Sequence, residues 1–170
     1  MIELLILFEL NKKTLTMYGV SKEIRAEFSV LTTPSYGTIK PALNRLEKGG
    51  FVKTLKTMSS GGRPSTYYSI TEDGYNELER LMLEPLQDNP IQYLPTARVR
   101  LACADVLDKE LQMLLFKTLK QKAELILFDT NNLITSTNMS FYPKMVFDNL
   151  VCEYKNLISL LEGFERACKN

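Results

Sequence analysis

The stretch YGTIKPALNRLEKGGF, residues 36–51, decides how the rest of the chain is interpreted. Four apolar residues recur at the spacing that aligns side chains along one stripe of an α-helix: Ile39, Ala42, Leu43 and Leu46. Gly49 and Gly50 follow, and glycines at this place supply the permissive backbone that ends a helix. The pattern predicts a short amphipathic helix with one buried face and one free face.

The free face of this helix carries residue types that suit a nucleic acid. Asn44 can pair with an adenine edge, and Arg45 can take a guanine or a phosphate. A lysine ammonium is a point charge and suits phosphates better than bases. Any one of these residues is also compatible with an ordinary solvated surface. The predicted contacts on this helix are Ser35, Tyr36, Thr38, Lys40, Asn44, Arg45 and Lys48.

Pro41 in the middle of this stretch is unexpected, because proline removes one backbone hydrogen bond of a helix. The loss is smaller near a helix start, where the first amides have no intrahelical partner. We therefore expect regular helix from about Thr38, with residues 35–37 forming a cap-like turn. Amides at such a start can face a phosphate.

The segments around this helix predict a winged helix-turn-helix. The predicted order is helix, helix, helix, strand, strand, helix within about 80 residues. The Ser-Gly-rich tip of the hairpin suits close approach to a DNA backbone, with Arg63 beside it for a narrow minor groove. Lys53 and Lys56 can add phosphate contacts. The predicted elements are helices 2–10, 18–28 and 38–48, strands 51–57 and 65–70, and a helix capped by Thr71.

The second half of the chain predicts a helical domain. Residues 84–96 contain three prolines and little periodicity, which indicates a linker. One helix is expected over 97–107 with Arg98 and Arg100 pointing outward, and Asp108 is a good N-cap for the next. The expected organisation is a DNA-binding domain over 1–83, the linker, and a dimerisation domain over 97–170.

A regular apolar seam runs along the last helix. Its residues are spaced alternately three and four apart, which is typical of a coiled coil. The seam indicates a homodimer, although packing against the preceding helix would produce the same spacing, and one helix can serve both uses. The predicted dimerisation residues are Phe147, Leu150, Tyr154, Leu157, Leu161 and Phe164.

Composition excludes several classes of function. The chain has 170 residues and no histidine, which removes Ser-His-Asp and Cys-His nucleophiles and histidine-based zinc sites. Its three cysteines lack CxxC spacing and fit reduced thiols, and no cofactor or metal is expected.

The charge of the chain is unevenly distributed. Between residues 12 and 67 there are ten basic residues and three acidic ones, a net charge of +7. Such a local excess fits a polyanion binder, or simply a solvated basic surface.

These motifs resemble those of the PadR family of bacterial transcriptional regulators. The stretches YGTIKPALNRLEKGGFVK and GGRPSTYYSITEDG match the family's GTIYPALxRLExxGLV helix and its RxYYxITxxG motif after the wing. Two residues depart from that pattern: Lys40 replaces the family's usual tyrosine, and Gly19-Val20-Ser21 replaces GYE. The first departure alters an expected DNA contact, so operator preference cannot be transferred.

The resemblance implies a dimeric, cytoplasmic regulator of double-stranded DNA with a pseudo-palindromic operator. It further implies a repressor that a small hydrophobic or aromatic effector relieves. The available aromatic residues for an effector pocket between the two domains are Tyr93, Phe116 and Phe128. An alternative is a winged-helix adaptor that binds protein and no longer binds DNA. No nucleotide-binding motif of the GxxxxGK[ST] or GxGxxG type is present, so an enzyme is not expected.

Overall fold

A computed structural model describes residues 1–58, 64–86 and 89–169. The chain divides into two compact units, the first ending at Val106 and the second beginning at Leu107. The described residues are mainly α-helical with a small antiparallel sheet, which confirms the expected fold class. The elements are α1 (Ile2–Lys12), β1 (Leu15–Thr16), α2 (Met17–Phe28), α3 (Tyr36–Lys48), β2 (Val52–Met58), β3 (Pro64–Ile70), α4 (Glu72–Leu83), α5 (Pro90–Ala102), a 3-10 turn (Ala104–Val106), α6 (Lys109–Ser136) and α7 (Phe141–Lys169).

Helix α1 is the centre of the first unit. Every residue from Leu4 to Leu10 is buried, because α1 packs against α2, α3 and α4. The Phe8 and Phe28 rings meet edge to face with centroids 5.6 Å apart, which joins α1 to α2. A helix that is apolar on all sides is stable only when it is enclosed by others.

Helices α2 and α3 form the helix-turn-helix. The Thr16 hydroxyl accepts a hydrogen bond from the Gly19 amide at 3.1 Å and caps the start of α2. At the other end, the Leu31 and Thr32 amides both donate to the Phe28 carbonyl, which turns the chain toward α3. Both helices end where the sequence predicts, and they begin one residue (α2) and two residues (α3) earlier than predicted.

The sheet contains one strand more than the sequence predicts. The expected hairpin is present as β2 and β3, with Leu55 opposite Tyr67 and Lys53 opposite Ser69. Strand β1 pairs with the outer edge of β3 and gives the order β1-β3-β2. Two residues carry too little alternation to signal a strand, so this segment was expected to be a loop.

Backbone contacts fix the place where the wing leaves the domain. Gly50 follows α3 with φ of 77°, a left-handed conformation that favours glycine. The Thr71 hydroxyl donates to the Gly50 carbonyl at 2.7 Å, and the Thr71 amide donates to the Phe51 carbonyl at 3.0 Å. A Cβ at Gly74 would lie 2.1 Å from that same Phe51 oxygen, so only glycine fits there.

Helix α5 begins seven residues earlier, and ends five residues earlier, than the predicted helix over 97–107. Its start carries a recognisable signal: the Asn89 side chain accepts from the Ile91 amide at 3.0 Å, and Pro90 occupies the first helical position. The expected linker therefore contains the first two turns of α5. Arg100, expected to point outward, is only 7% exposed.

The second unit is a pair of long helices. Successive contacts of Gln112 with Cys168 and of Phe116 with Phe164 show that α6 and α7 run antiparallel. The Lys120 ammonium lies 3.3 Å from the Glu165 carboxylate and links the two helices further. As expected, Asp108 caps α6 by accepting from the Leu111 amide at 2.8 Å. No helix in the described part of the chain is long and apolar enough to cross a membrane.

Candidate nucleic-acid interface

The buried stripe of α3 holds this helix on the first unit. Its four apolar residues are at most 2% exposed: Ile39, Ala42, Leu43 and Leu46. Burial of a large aliphatic side chain is worth about 2 kcal/mol. Three such side chains on one short helix are sufficient to hold it against α1 and α2, so its opposite face need not contribute to packing.

The opposite face of α3 is exposed and polar. All seven predicted contact residues on this segment are solvent-exposed, and Tyr36 is 46% exposed. No described carboxylate forms an ion pair with Lys40 or Lys48, whose charges are thus available to a ligand. The structure brings the predicted residues together on one surface, as the helical spacing indicated.

Helix α3 begins two residues earlier than expected. Ser35 is its N-cap residue with extended backbone, and the amides of Thr38 and Ile39 donate to the Ser35 carbonyl at 3.0 Å. The Ser35 and Thr38 hydroxyls lie 3.2 Å apart. Pro41 consequently lies in the second turn, where a residue with an amide hydrogen would bond to the Gly37 carbonyl. The expectation that Pro41 lies within the first turn is therefore wrong.

Arg45 is a predicted contact that is already ion-paired within the domain. Its Nε donates to Glu3 Oε1 at 2.6 Å, across the surface between α3 and α1. The pair is largely exposed, so it adds little to stability. It does fix the guanidinium beside α1, and the Arg45 side chain stays 59% exposed. Nothing in the sequence signals this pairing, because the two residues are 42 positions apart.

The wing extends the basic surface. Val52 is the only buried residue of β2, and Lys53 and Lys56 on the same strand are exposed. Of the two tyrosines of β3, Tyr68 is half-buried and burial raises its pKa, whereas Tyr67 is 36% exposed. Neither is a core residue. The predicted contact Arg63 lies outside the described residues.

Several bases that contribute to the local charge excess are used within the domain. The Lys12 ammonium lies 2.6 Å from a Glu27 oxygen and 3.4 Å from Glu9, and Lys13 pairs with Glu23 at 3.1 Å. The carboxylates of Glu9, Glu23 and Glu27 approach one another within 4.8 Å, a spacing that a metal ion could use. Lys12 already supplies the cation among them. Among the described bases between residues 12 and 67, those without an ion pair are Lys22 and Arg25 on α2, Lys40 and Lys48 on α3, and Lys53 and Lys56 on β2.

The predicted dimerisation residues are divided between the inside and the surface of the second unit. Tyr154, Leu157 and Leu161 are at most 5% exposed, and the ring of Phe164 packs on Phe116 with centroids 5.3 Å apart. Phe147, Leu150 and Phe164 are half-buried. The seam thus packs α7 on α6, which is the intramolecular alternative. The assignment of these residues as dimer contacts stays a prediction.

A different set of large apolar side chains on the second unit is exposed. We call this set the hairpin-end patch, because it is distributed over the last three turns of α6 and the first two turns of α7. Sequence reasoning missed it, because an irregular cluster has no periodicity to detect. Its members are 51–80% exposed: Leu125, Phe128, Phe141, Tyr142, Met145 and Val146.

The aromatic residues expected in an effector pocket belong to two different units. Tyr93 is buried in the first unit and lines a cavity there. Phe116 and Phe128 belong to the second unit, where Phe116 is buried and Phe128 is 63% exposed.

Comparison with known proteins agrees with this geometry. Residues 6–80 match the model of the transcriptional regulator PadR-like family. A PadR family transcription regulator from Clostridium difficile R20291 is 34% identical, covering 46% of this chain and 79% of that one, with a TM-score of 0.40. No curated protein matches the sequence.

Two structures of Bacillus subtilis PadR resemble the whole chain. The structure in complex with operator DNA is 20% identical, covers 98% of both chains and has a TM-score of 0.46. The structure with p-coumaric acid is 19% identical, covers 99% of this chain and 95% of that one, and has a TM-score of 0.41.

Proposed function

Because this chain belongs to the PadR-like family of transcriptional regulators, we propose that it is a homodimeric regulator that binds a specific DNA operator. The observation that carries the proposal is the division of α3 into a fully buried stripe and an exposed basic face. A helix held in this way can enter the major groove without disturbing its own packing.

Within the interface, residues are assigned by what their side chains can bind. Lys40 and Lys48 contact phosphates, and Asn44 reads a base edge in the major groove. The amides at the start of α3, beside Ser35, donate hydrogen bonds to a phosphate, as those of helix N-termini do. Arg45 is positioned by Glu3 through its Nε, so its two other guanidinium nitrogens are assigned to a phosphate or a guanine. Lys53 and Lys56 extend the contact along the wing.

The dimer is assigned to the hairpin-end patch rather than to the seam. Six large apolar side chains, each more than half exposed, form the kind of surface that marks an interaction site. A second copy of the same chain satisfies it, because an isologous interface matches the patch with itself. Two recognition helices can then contact half-sites about one helical turn apart.

The direction of regulation follows the family rather than the geometry. We assign the protein as a repressor that a small hydrophobic or aromatic effector releases from DNA. The alternative, an adaptor that binds protein without DNA, leaves the exposed charge of α3 unexplained.

DNA binding is tested with duplexes selected from a random pool and then used in gel-shift titrations over a salt series. Lys40→Ala should lower the slope of log affinity against log salt by about one and weaken all sequences alike. Asn44→Ala should instead reduce the preference for the selected site by about tenfold, as the loss of one base contact does. Lys155→Ala on α7, an equally exposed lysine, serves as the control. Absence of any shift at 50 mM salt would favour the adaptor.

The dimer is tested separately by sedimentation equilibrium. Phe141→Ser combined with Val146→Ser should raise the dimer dissociation constant at least tenfold while the helical circular dichroism stays unchanged. Unaltered association of this double variant would contradict the assignment of the patch.

A further inference from the structure

Three carboxylates from two helices meet between α1 and α2. Glu9 lies on α1, and Glu23 and Glu27 lie four positions apart on α2, a spacing that places them on one face of that helix. One oxygen from each carboxylate lies within 4.8 Å of the other two. The oxygen ligands of Mg²⁺ or Ca²⁺ lie about 2.0–2.6 Å from the ion, so opposite ligands are about 4 to 5 Å apart. The three oxygens therefore have the spacing of a single coordination sphere.

Glu9 is the unusual member of this cluster. It is 0% exposed, although a glutamate is rarely buried completely unless it is well paired. Neither of its carboxylate oxygens accepts a hydrogen bond in the described part of the chain. The Lys12 ammonium approaches Glu9 Oε2 only to 3.4 Å, which is longer than a charge-assisted hydrogen bond. A buried carboxylate with unsatisfied oxygens is costly, and here one of those oxygens belongs to the cluster.

The positive charges beside the cluster are too few to neutralise it. The Lys12 ammonium lies 2.7 Å and 2.6 Å from the two oxygens of Glu27, and Lys13 pairs with Glu23 at 3.1 Å. Glu9 is thus the carboxylate without a close cation of its own. Burial raises the pKa of Glu9 and the charge of Glu27 raises it further, whereas Lys12 lowers it. An ion with two positive charges would stabilise all three carboxylates in their ionised form.

We propose that Glu9, Glu23 and Glu27 bind one divalent cation that prefers oxygen ligands, such as Mn²⁺ or Ca²⁺, in place of the Lys12 ammonium. Carboxylates are the ligands that suit these ions. The side chains of Lys12 and Glu27 are 35% and 42% exposed, so the ammonium can turn to solvent and water can complete the coordination. The site is independent of DNA binding, and its failure would leave the proposed function untouched.

A cation at this place would join α1 to the first helix of the helix-turn-helix. In the ion-free protein, the lysine side chains of Lys12 and Lys13 make the ion pairs between these two helices. Coordination by carboxylates from both helices stabilises the folded first unit, because the unfolded chain does not hold the three oxygens together. Thermal unfolding of the wild type should therefore move to higher temperature as the concentration of the ion rises.

The test titrates the full chain with Mn²⁺, whose sharp electron paramagnetic resonance signal is lost on binding, and with Ca²⁺ by calorimetry. At least one of these ions should bind, with one ion per chain. Glu9→Gln, which keeps the shape of the side chain, should weaken this binding at least tenfold. Glu77→Gln, at a part-buried glutamate paired with Arg80, is the control and should change it less than twofold. If neither ion binds at millimolar concentration, or if Glu9→Gln binds like the wild type, the proposal is wrong.

A second variant, Lys12→Met, separates ion binding from a purely structural role of the cluster. It keeps an apolar side chain of similar length and removes the competing ammonium, so the affinity for the ion should rise at least tenfold. Its thermal unfolding should also respond more strongly to the ion than that of the wild type. A purely structural cluster would instead lose stability in this variant, and neither ion would restore it. That result would refute the site even if Glu9→Gln failed to fold.

Discussion

Leu161 and its neighbour Leu160 distinguish the two uses of the apolar seam. Leu161 is 0% exposed, whereas Leu160 on the same helix is 47% exposed. Truncation of a buried leucine to alanine removes its transfer free energy and leaves a cavity, a total of about 3 kcal/mol. The same truncation at Leu160 removes only the buried half of the side chain, and alanine recovers a few tenths of a kcal/mol in helix propensity. Its net cost should be below about 1 kcal/mol.

The assay is urea unfolding followed by helical circular dichroism at two protein concentrations that differ a hundredfold. Two concentrations are needed because association adds to the apparent stability of a dimer. Leu161→Ala should lower the free energy of unfolding by about 3 kcal/mol at both concentrations. If it instead leaves unfolding unchanged at low concentration and only weakens association, then the seam is an intermolecular contact and the assignment to α6–α7 packing is wrong.

Other expectations follow from particular contacts. Gly74→Ala should destabilise the first unit by about 2 kcal/mol or more in thermal unfolding, because the new Cβ would meet the Phe51 carbonyl. Gly163→Ala is the control, because its Cβ would meet only Arg166 Nη2, at 4.0 Å. Burial raises the pKa of Glu9, which faces Lys12, Glu23 and Glu27. The Glu9 carboxyl therefore stays protonated to a higher pH in the folded state than in the unfolded chain. The stability that the protonated carboxyl contributes falls as the pH rises from 4.5 through the raised pKa. Glu9→Gln should remove that slope from urea unfolding measured between pH 4.5 and 7.5; an identical slope in the variant would show that another group causes it.

Much of the first unit could be predicted because its signals are local. The 3.6-residue period of α3, the glycines after it and the Thr71 cap each depend on neighbours within one helical turn. The capped start of α5 was equally local, but the prolines around it favoured a linker interpretation. Asn89 followed by Pro90 is in fact a helix start.

The contacts that refine the interface are not local, and for that reason they could not be predicted. Glu3 meets Arg45 only after α1 and α3 pack together, and the burial of Arg100 depends on the chain after α4 returning over α5. The seam of α7 posed a different difficulty. A heptad spacing shows that a face is buried, but the partner helix can belong to the same chain or to a second copy.

The junction at Phe51 has a consequence for how the recognised DNA sequence can change among related proteins. The tilt of the wing relative to the recognition helix is set by main-chain atoms, namely the Gly50 and Phe51 carbonyls held by Thr71 and pressed against Gly74. Glu47 on α3 adds one side-chain link, because it accepts a hydrogen bond from the Thr54 hydroxyl of β2 at 2.7 Å. In the described part of the chain, no hydrogen bond joins Lys40, Asn44 or Lys48 to the wing. Substitution of Lys40, Asn44 or Lys48 can therefore change the DNA sequence that is recognised. The spacing between the recognition helix and the wing stays the same.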